Sequence, residues 1–475
     1  MKNSLSLSNQ APDMKRPLKT LLLLTISVLS ISHSQAQVKF YKSYEQAQKE
    51  AIARQLPIFI SLDYSSVRGA PALINIYAPE KEVADYYHAH FIPYRVEHRS
   101  PEGLKLQEKY KLSVFPNFLF LKPDGSLILK SNIVPRDFNF FMTLAKEAEQ
   151  RYTTKTGVSD YDERYKANQN VDRQFLKEYI ALRIQSGILT NDKLIDQYVD
   201  FLTVGELNSY AEVLFIHQAG PLVFGRAYNL ASANRSLVDS VFKTASLQER
   251  IDMNNRIINN TLSEAIARKD RNMAFALATF VRNTWNPNYK EGQKNALQKL
   301  LTFYKATNDT AAYFSQAAYH YDYHFMSISV DSIRLAMAKN RNSLDSLKSA
   351  VKQMKREGKG NWAFSQTSIG SSSATHVLNV AHMLNNAAWD LYSMGCHQQF
   401  YLKKALLWSK RAIEIDSNAT YYDTLAHLSY RLGLYDEALL NQKKAITLAV
   451  QQKILSKEQI NGFREQAMKM QNKTL

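Results

Sequence analysis

The chain is almost without cysteine: Cys396 is the only one in 475 residues. A single thiol excludes an internal disulfide, and it excludes dithiol chemistry within one chain. Pairing with a partner stays open, but a lone buried thiol with a packing role fits Cys396 better. Glycine (15) and proline (12) are scarce, which leans the chain towards helix. The apolar run at 21–31 is about half the ~20 residues a membrane span needs, and no other run reaches that length. No glycine-rich phosphate loop ending in Lys-Ser/Thr occurs, and no basic-aromatic recognition motif, which argues against nucleic acid as a partner.

What is present begins with the amino-terminal pattern. Lys15, Arg16 and Lys19 precede the apolar run, and Ser34-Gln35-Ala36 places small residues where a signal peptidase cuts. That three-part pattern predicts a secretory signal peptide over 1–36, hence an exported protein, most simply a periplasmic one, without an integral membrane segment after cleavage. Met14 is an alternative start, since the residues before it add nothing to the signal. The formal net charge of +17 falls to about +14 without 1–36. Because the basic residues are spread along the chain, a solvated basic surface explains them better than one binding patch.

Residues 37–150 alternate between strand and helix patterns. A helix is expected at 44–55 with Ala47, Ala51 and Ile52 on one face, then a strand buried on both faces at 57–62. A helix from about 70, a second at 81–89, a strand at 91–96 and a helix at 104–110 follow. Phe118-Leu119-Phe120-Leu121 and Leu127-Ile128-Leu129 flank Lys122-Pro123-Asp124-Gly125-Ser126, which predicts a hairpin. A helix at 138–151 closes the segment.

This order, with Val114-Phe115-Pro116-Asn117-Phe118-Leu119-Phe120-Leu121 followed by Pro123-Asp124-Gly125, resembles the second half of a thioredoxin-like domain. The resemblance implies an α/β thioredoxin-like fold in which Pro116 follows a cis peptide bond and faces the site where that family carries two cysteines. In this chain the corresponding loop reads Asp63-Tyr64-Ser65-Ser66-Val67-Arg68-Gly69-Ala70-Pro71, and no register supplies a thiol. A serine there would need a neighbouring base. His88, His90 and His98 lie beyond the next helix, so no catalytic residue is assigned. What the resemblance leaves is a groove for extended peptides, formed by Ser66, Val67, Arg68, Gly69, Phe115 and Pro116, with Arg68 as a partner for a carboxylate. A domain that serves only as a spacer is the equal alternative.

Residues 151–170 are polar and read as a linker, after which the apolar period becomes 3.6. Phe175-Ile180-Leu182, Leu194-Tyr198-Phe201-Leu202 and Ala274-Leu277-Ala278-Val281 mark helix faces in a region of degenerate helical hairpins over 171–355. His320 and His324 share metal-ligand spacing on a helix, but Tyr319, Tyr321, Tyr323 and Phe325 around them indicate packing, and no third ligand is in view. No metal or other cofactor is therefore expected. Residues 356–376, rich in glycine and serine, read as a flexible loop.

Over 377–472 a repeat emerges: Trp389, Tyr392, Ala405 and Ala412 return 33 residues on as Tyr422, Leu425, Ala438 and Ala445. With Leu432-Gly433 and Tyr435 this resembles a tetratricopeptide repeat, the first unit being weaker because Phe400 stands where Gly433 does. The resemblance implies an all-α helical-repeat domain with a concave peptide groove lined by Asp390, Asp423, His427 and Tyr430. For each of these, an ordinary solvent-facing position is the alternative. Ser456 to Gln459 fits a capping box that starts a final covering helix.

The layout as a whole is similar to exported thioredoxin-family proteins of Gram-negative cell envelopes. It implies a non-catalytic binding or scaffold protein whose partners are envelope or secreted proteins. The alternatives are an oxidoreductase working through mixed disulfides at Cys396 and a purely structural envelope component.

Overall fold

The computed structural model describes residues 37–63, 72–112, 115–133, 135, 139–188, 190–339, 380–452 and 455–475. The expected signal peptide at 1–36, the expected loop at 356–376 and the predicted groove residues Ser66, Val67, Arg68 and Gly69 lie outside the described residues. The chain packs as two units, Met1–Gly157 and Val158–Leu475.

The first unit runs α1 (Tyr44–Arg54), β1 (Ile58–Asp63), α2 (Leu73–Tyr77), α3 (Lys81–His90), β2 (Ile92–Glu97), α4 (Pro101–Tyr110), β3 (Asn117–Leu121), β4 (Leu127–Ser131) and α5 (Asn139–Thr154). The four strands form one mixed sheet in the order β2-β1-β3-β4, with β1 parallel to β2 and antiparallel to β3. Strand alternation makes two cores from one sheet. Ile58, Ile60 and Leu62 join Leu119 and Leu121 beneath Ala47 and Ala51 of α1. Phe59 points the other way, against Phe120 at 5.1 Å and Tyr87 at 4.7 Å between ring centroids. Tyr87 is fully buried, and its hydroxyl donates to the Phe141 carbonyl at 2.9 Å, which fastens α3 to α5. Ile52, expected on the buried face of α1, is 53% exposed, because a helix this short turns only the Ala47–Ala51 line to the sheet.

The hairpin closes as its residues require. Lys122 N–H donates to the Ser126 carbonyl at 2.8 Å, Gly125 takes φ 83°, and the Asp124 carboxylate accepts from Ser126 N–H at 2.8 Å. Those bonds, with Lys122 and Lys109 nearby, hold the Asp124 carboxyl below its ordinary range although burial opposes them.

The second unit is helical throughout its described residues. It comprises α6 (Val158–Lys166), α7 (Arg173–Gln185), α8 (Asp192–Asp200), α9 (Val204–Leu207), α10 (Tyr210–Ala219), α11 (Arg226–Ala231), α12 (Arg235–Thr244), α13 (Leu247–Arg268), α14 (Arg271–Thr284), α15 (Tyr289–Ala306) and α16 (Thr310–Tyr321). A π-helical turn, Asp322–Met326, extends α16, and a helical stretch follows over 330–339. Then come α17 (Val380–Ser393), α18 (Gln399–Ile415), α19 (Ala419–Arg431), α20 (Tyr435–Gln452) and α21 (Lys457–Gln471). No helix among the described residues is long and apolar enough to cross a membrane.

The segment 151–170, expected as a linker, is largely helical: α5 runs to Thr154 and α6 starts at Val158. Val158 and Tyr161 are buried, and the Tyr161 ring stacks on Tyr179 at 5.4 Å. A stripe of so few apolar residues in a polar segment gives little periodic signal. Phe201 is also corrected: α8 ends at Asp200, so Phe201 caps the helix and is 45% exposed.

Helix pairs form where small residues let backbones approach. A Cβ on Gly292 of α15 would lie 2.5 Å from the Arg282 carbonyl oxygen of α14. Ala405, Ala412, Ala438 and Ala445, the small residues of the 33-residue period, are all fully buried. Gly395 after α17 and Gly433 after α19 both take positive φ, 76° and 81°. Gly395, not Phe400, is therefore the structural counterpart of Gly433, and the longer connection to α18 disguises it. One contiguous core runs from Val223 through Trp408 to Leu428, so the last hairpins continue the middle helices. The Ser456–Gln459 capping box is formed in both directions, and Met470 of α21 is buried with Ala426 and Ala438.

Candidate functional site

The sheet of the first unit brings one set of predicted residues to a single edge. β1 and β2 run parallel and end at Asp63 and Glu97, which are register partners. β3 runs the opposite way and begins at Asn117, opposite Leu62. Phe115-Pro116 enters β3 at the end where β1 and β2 finish, and Ser66–Gly69, which follow Asp63 in the sequence, lie outside the described residues. The Phe115–Pro116 bond is cis, as the family resemblance implied. Pro116 is buried and Phe115 is half-buried.

His98 completes this edge and is the residue that sequence reasoning set aside. Its ring lies 4.9 Å from that of Phe115, and it is only 8% exposed. Sequence distance hid the contact: β2 passes along β1, so the residue after β2 arrives beside the residue before β3. The backbone under His98 is held firmly. Ser100 Oγ donates to the Glu97 carbonyl at 2.7 Å and accepts from Gly103 N–H at 3.0 Å. A Cβ at Gly103 would lie 2.1 Å from the Glu97 carbonyl oxygen, so only glycine permits this approach of α4. An imidazole, a phenyl ring and a proline pack together at a strand end without sulfur, and of the three only Phe115 is half-exposed.

The repeat residues have a different fate. Asp390 on α17 accepts from Lys305 Nζ at 2.6 Å and from the Tyr313 hydroxyl at 2.8 Å. It ties α15 and α16 to α17. Asp423 on α19 accepts from Gln442 Nε2 of α20 at 2.8 Å, and burial raises its carboxyl above the ordinary value although His427 and Gln442 oppose this. His427 is 4% exposed; its Nδ1 donates to the Asp423 carbonyl at 2.8 Å, and its ring meets Trp389 and Tyr392 edge-on at 5.4 and 5.1 Å. The Tyr430 hydroxyl accepts from Leu475 N–H at 3.2 Å. Of the expected quartet, Asp423 and His427 are brought together; each of the four contacts a neighbouring helix or the chain end, with His427 buried and Asp390, Asp423 and Tyr430 half-buried. In stacked hairpins both sides of an inner helix find neighbours, so polar residues there bond to the next helix while keeping part of their surface in solvent.

The histidine pair is also internal. His320 is fully buried, its Nε2 lies 3.2 Å from Gln298 Oε1, and its ring centre is 5.3 Å from that of His324. Burial, with the like charges of His324 and Lys294, pulls His320 down to about 3, and burial lowers His324 as well. Among the described residues no group of three His, Cys, Asp or Glu could hold a metal. Asp322 between them accepts from Trp408 Nε1 at 2.8 Å and pairs with Lys404, which draws the π-turn against α18. Cys396 is 1% exposed, with its thiol 3.9 Å from the Gln398 carbonyl, and burial raises it above the ordinary thiol value.

No family model matches this chain, and no curated protein matches it. Among solved structures it is similar to a chain described as DsbH oxidoreductase, at 15% identity and a TM-score of 0.21. That match covers 30% of this chain and 95% of the other. The small mixed sheet followed by many helices is compatible with a thioredoxin-like domain plus a helical domain.

Proposed function

We propose that this is an exported, non-catalytic binding protein with a thioredoxin-like domain and a tetratricopeptide-like scaffold. The observation that carries the reading is chemical. The chain's one thiol, Cys396, is buried in the helical array with a raised pKa, and the loop leaving β1 at Asp63 contains none. A thiol exchanges disulfides as the accessible thiolate, so a buried protonated one is a poor mixed-disulfide former. What remains at the strand ends is a packed group of His98, Phe115 and Pro116, of which Phe115 is half-exposed, with Ser66, Val67, Arg68 and Gly69 following Asp63 in the sequence. In this reading the half-exposed Phe115 ring is the contact for an extended chain, which is held without reacting. The exposed positions of the array, rather than Asp390 or Asp423, carry any second contact surface. Envelope or secreted proteins in extended form are the proposed partners.

The test is binding of a permanently unfolded, carboxymethylated polypeptide to the full chain, followed by fluorescence anisotropy. Saturable binding that Phe115→Asp abolishes at unchanged melting temperature supports the reading. No binding by the native protein overturns it and leaves a structural component.

A further inference from the structure

The second unit holds a cavity that no part of this function uses. It opens between α10, α11, α12, α13 and α14 and encloses about 500 Å³. That is within the roughly 300–1,000 Å³ of small-molecule sites. Phe224, Tyr228, Phe242 and Phe280 form its walls. These rings fix one another: Tyr228 meets Phe280 at 6.0 Å and 84°, and Phe224 meets Tyr228 at 6.0 Å and 88°. Edge-to-face contacts of this kind hold a wall in place before any ligand arrives.

Two features set the cavity apart from ordinary surface. Phe224 stands at φ 57°, in the left-handed region, with 54% of its surface exposed. A bulky residue seldom occupies that region, and here it turns the ring to the cavity mouth. Leu247 at 65% and Ile251 at 42% exposure extend the same apolar mouth.

The charge is equally specific. Arg250 is the only Lys, Arg, Asp or Glu lining the cavity. Its Nε is buried without a hydrogen-bond partner. Arg250 itself is half-buried, and its outer guanidinium nitrogens, which make no hydrogen bond or ion pair among the described residues, can take a carboxylate in a two-point grip. His217 at the cavity wall adds no cation: its Nδ1 donates to the Val213 carbonyl at 2.8 Å and burial lowers its pKa.

We infer that this cavity binds a small apolar acid, its ring or acyl body among Phe224, Tyr228, Phe242 and Phe280 and its carboxylate on Arg250. Isothermal titration of the full chain with 2-naphthoate, dodecanoate and the neutral isostere 2-naphthamide tests it. A carboxylate should bind at least about tenfold more tightly than the amide, as one charge-assisted bond provides. The tighter of naphthoate and dodecanoate decides between aryl and acyl acids. Arg250→Gln should remove the preference and keep weak binding, and Phe242→Ala should weaken both ligands. Should Phe242→Ala fail to fold, Phe224→Ala at the exposed mouth replaces it. Absence of saturable carboxylate binding by the native chain, or a preference that survives Arg250→Gln, overturns the inference.

Discussion

The Asp390 carboxylate accepts the Tyr313 hydroxyl at 2.8 Å across 77 residues of chain, joining α16 to α17. Tyr313 is 2% exposed, and its hydroxyl is pushed well above the ordinary tyrosine value, chiefly by burial. Removing the acceptor leaves a buried donor unmet, which costs about 1–3 kcal/mol. Asp390→Ala should therefore lower the melting temperature of the helical array by that equivalent in calorimetry. Tyr313→Phe, which removes the donor with its acceptor left near solvent, should cost less. The Lys305 arm of the same site is half exposed and contributes little.

Acid should loosen the array before it affects most carboxylates. His320 and His217 are buried and have folded pKa values below the free imidazole value, chiefly through burial, His320 down to about 3. A depressed histidine binds protons more readily when unfolded, so its stabilisation is complete above pH ~6.5 and is lost as pH falls towards the folded value. Between pH 7 and 5, His320 alone predicts a loss of about 1–2 kcal/mol. Asp423, raised by burial, acts with the opposite sign, its contribution growing as pH falls through its folded value. Chemical unfolding at pH 7 and pH 5 checks this, and His320→Phe should flatten the difference.

Gly292 tests the helix pairing. Its Cβ would meet the Arg282 carbonyl, which is backbone and cannot swing aside. Gly292→Ala should destabilise by about 1–3 kcal/mol, despite the better helix propensity of alanine. Gly462, with open space at its Cβ, is the control: Gly462→Ala should be neutral or stabilising by up to about 1 kcal/mol.

Cys396 should resist alkylation in the native protein and react fully in denaturant, because a thiol 1% exposed offers neither access nor thiolate. Counting incorporated label by intact mass checks it. Rapid native labelling would revive the mixed-disulfide alternative.

Much of this architecture was legible in particular residues. Ile58 to Leu62 reads as a strand buried on both faces and is one, and the Lys122–Ser126 turn is where proline, aspartate and glycine put it. The alanines of the 33-residue period mark the helix contacts correctly. What stayed hidden is three-dimensional. His98 reaches Phe115 only because parallel β2 returns beside β1. Asp390, Asp423 and His427 read as surface residues on single helices, and only stacking gives them second neighbours. His320 and His324 do remain neighbours, with rings 5.3 Å apart, but only the fold shows that both are buried among packing partners. The cavity around Arg250 draws its walls from five helices, none of which carries a motif.

Insulin reduction by the purified full chain with dithiothreitol is the most direct measurement of whether this protein grips without turning over. The rate should equal that of dithiothreitol alone. Acceleration above that background, and above all acceleration lost in Cys396→Ser, would contradict the account.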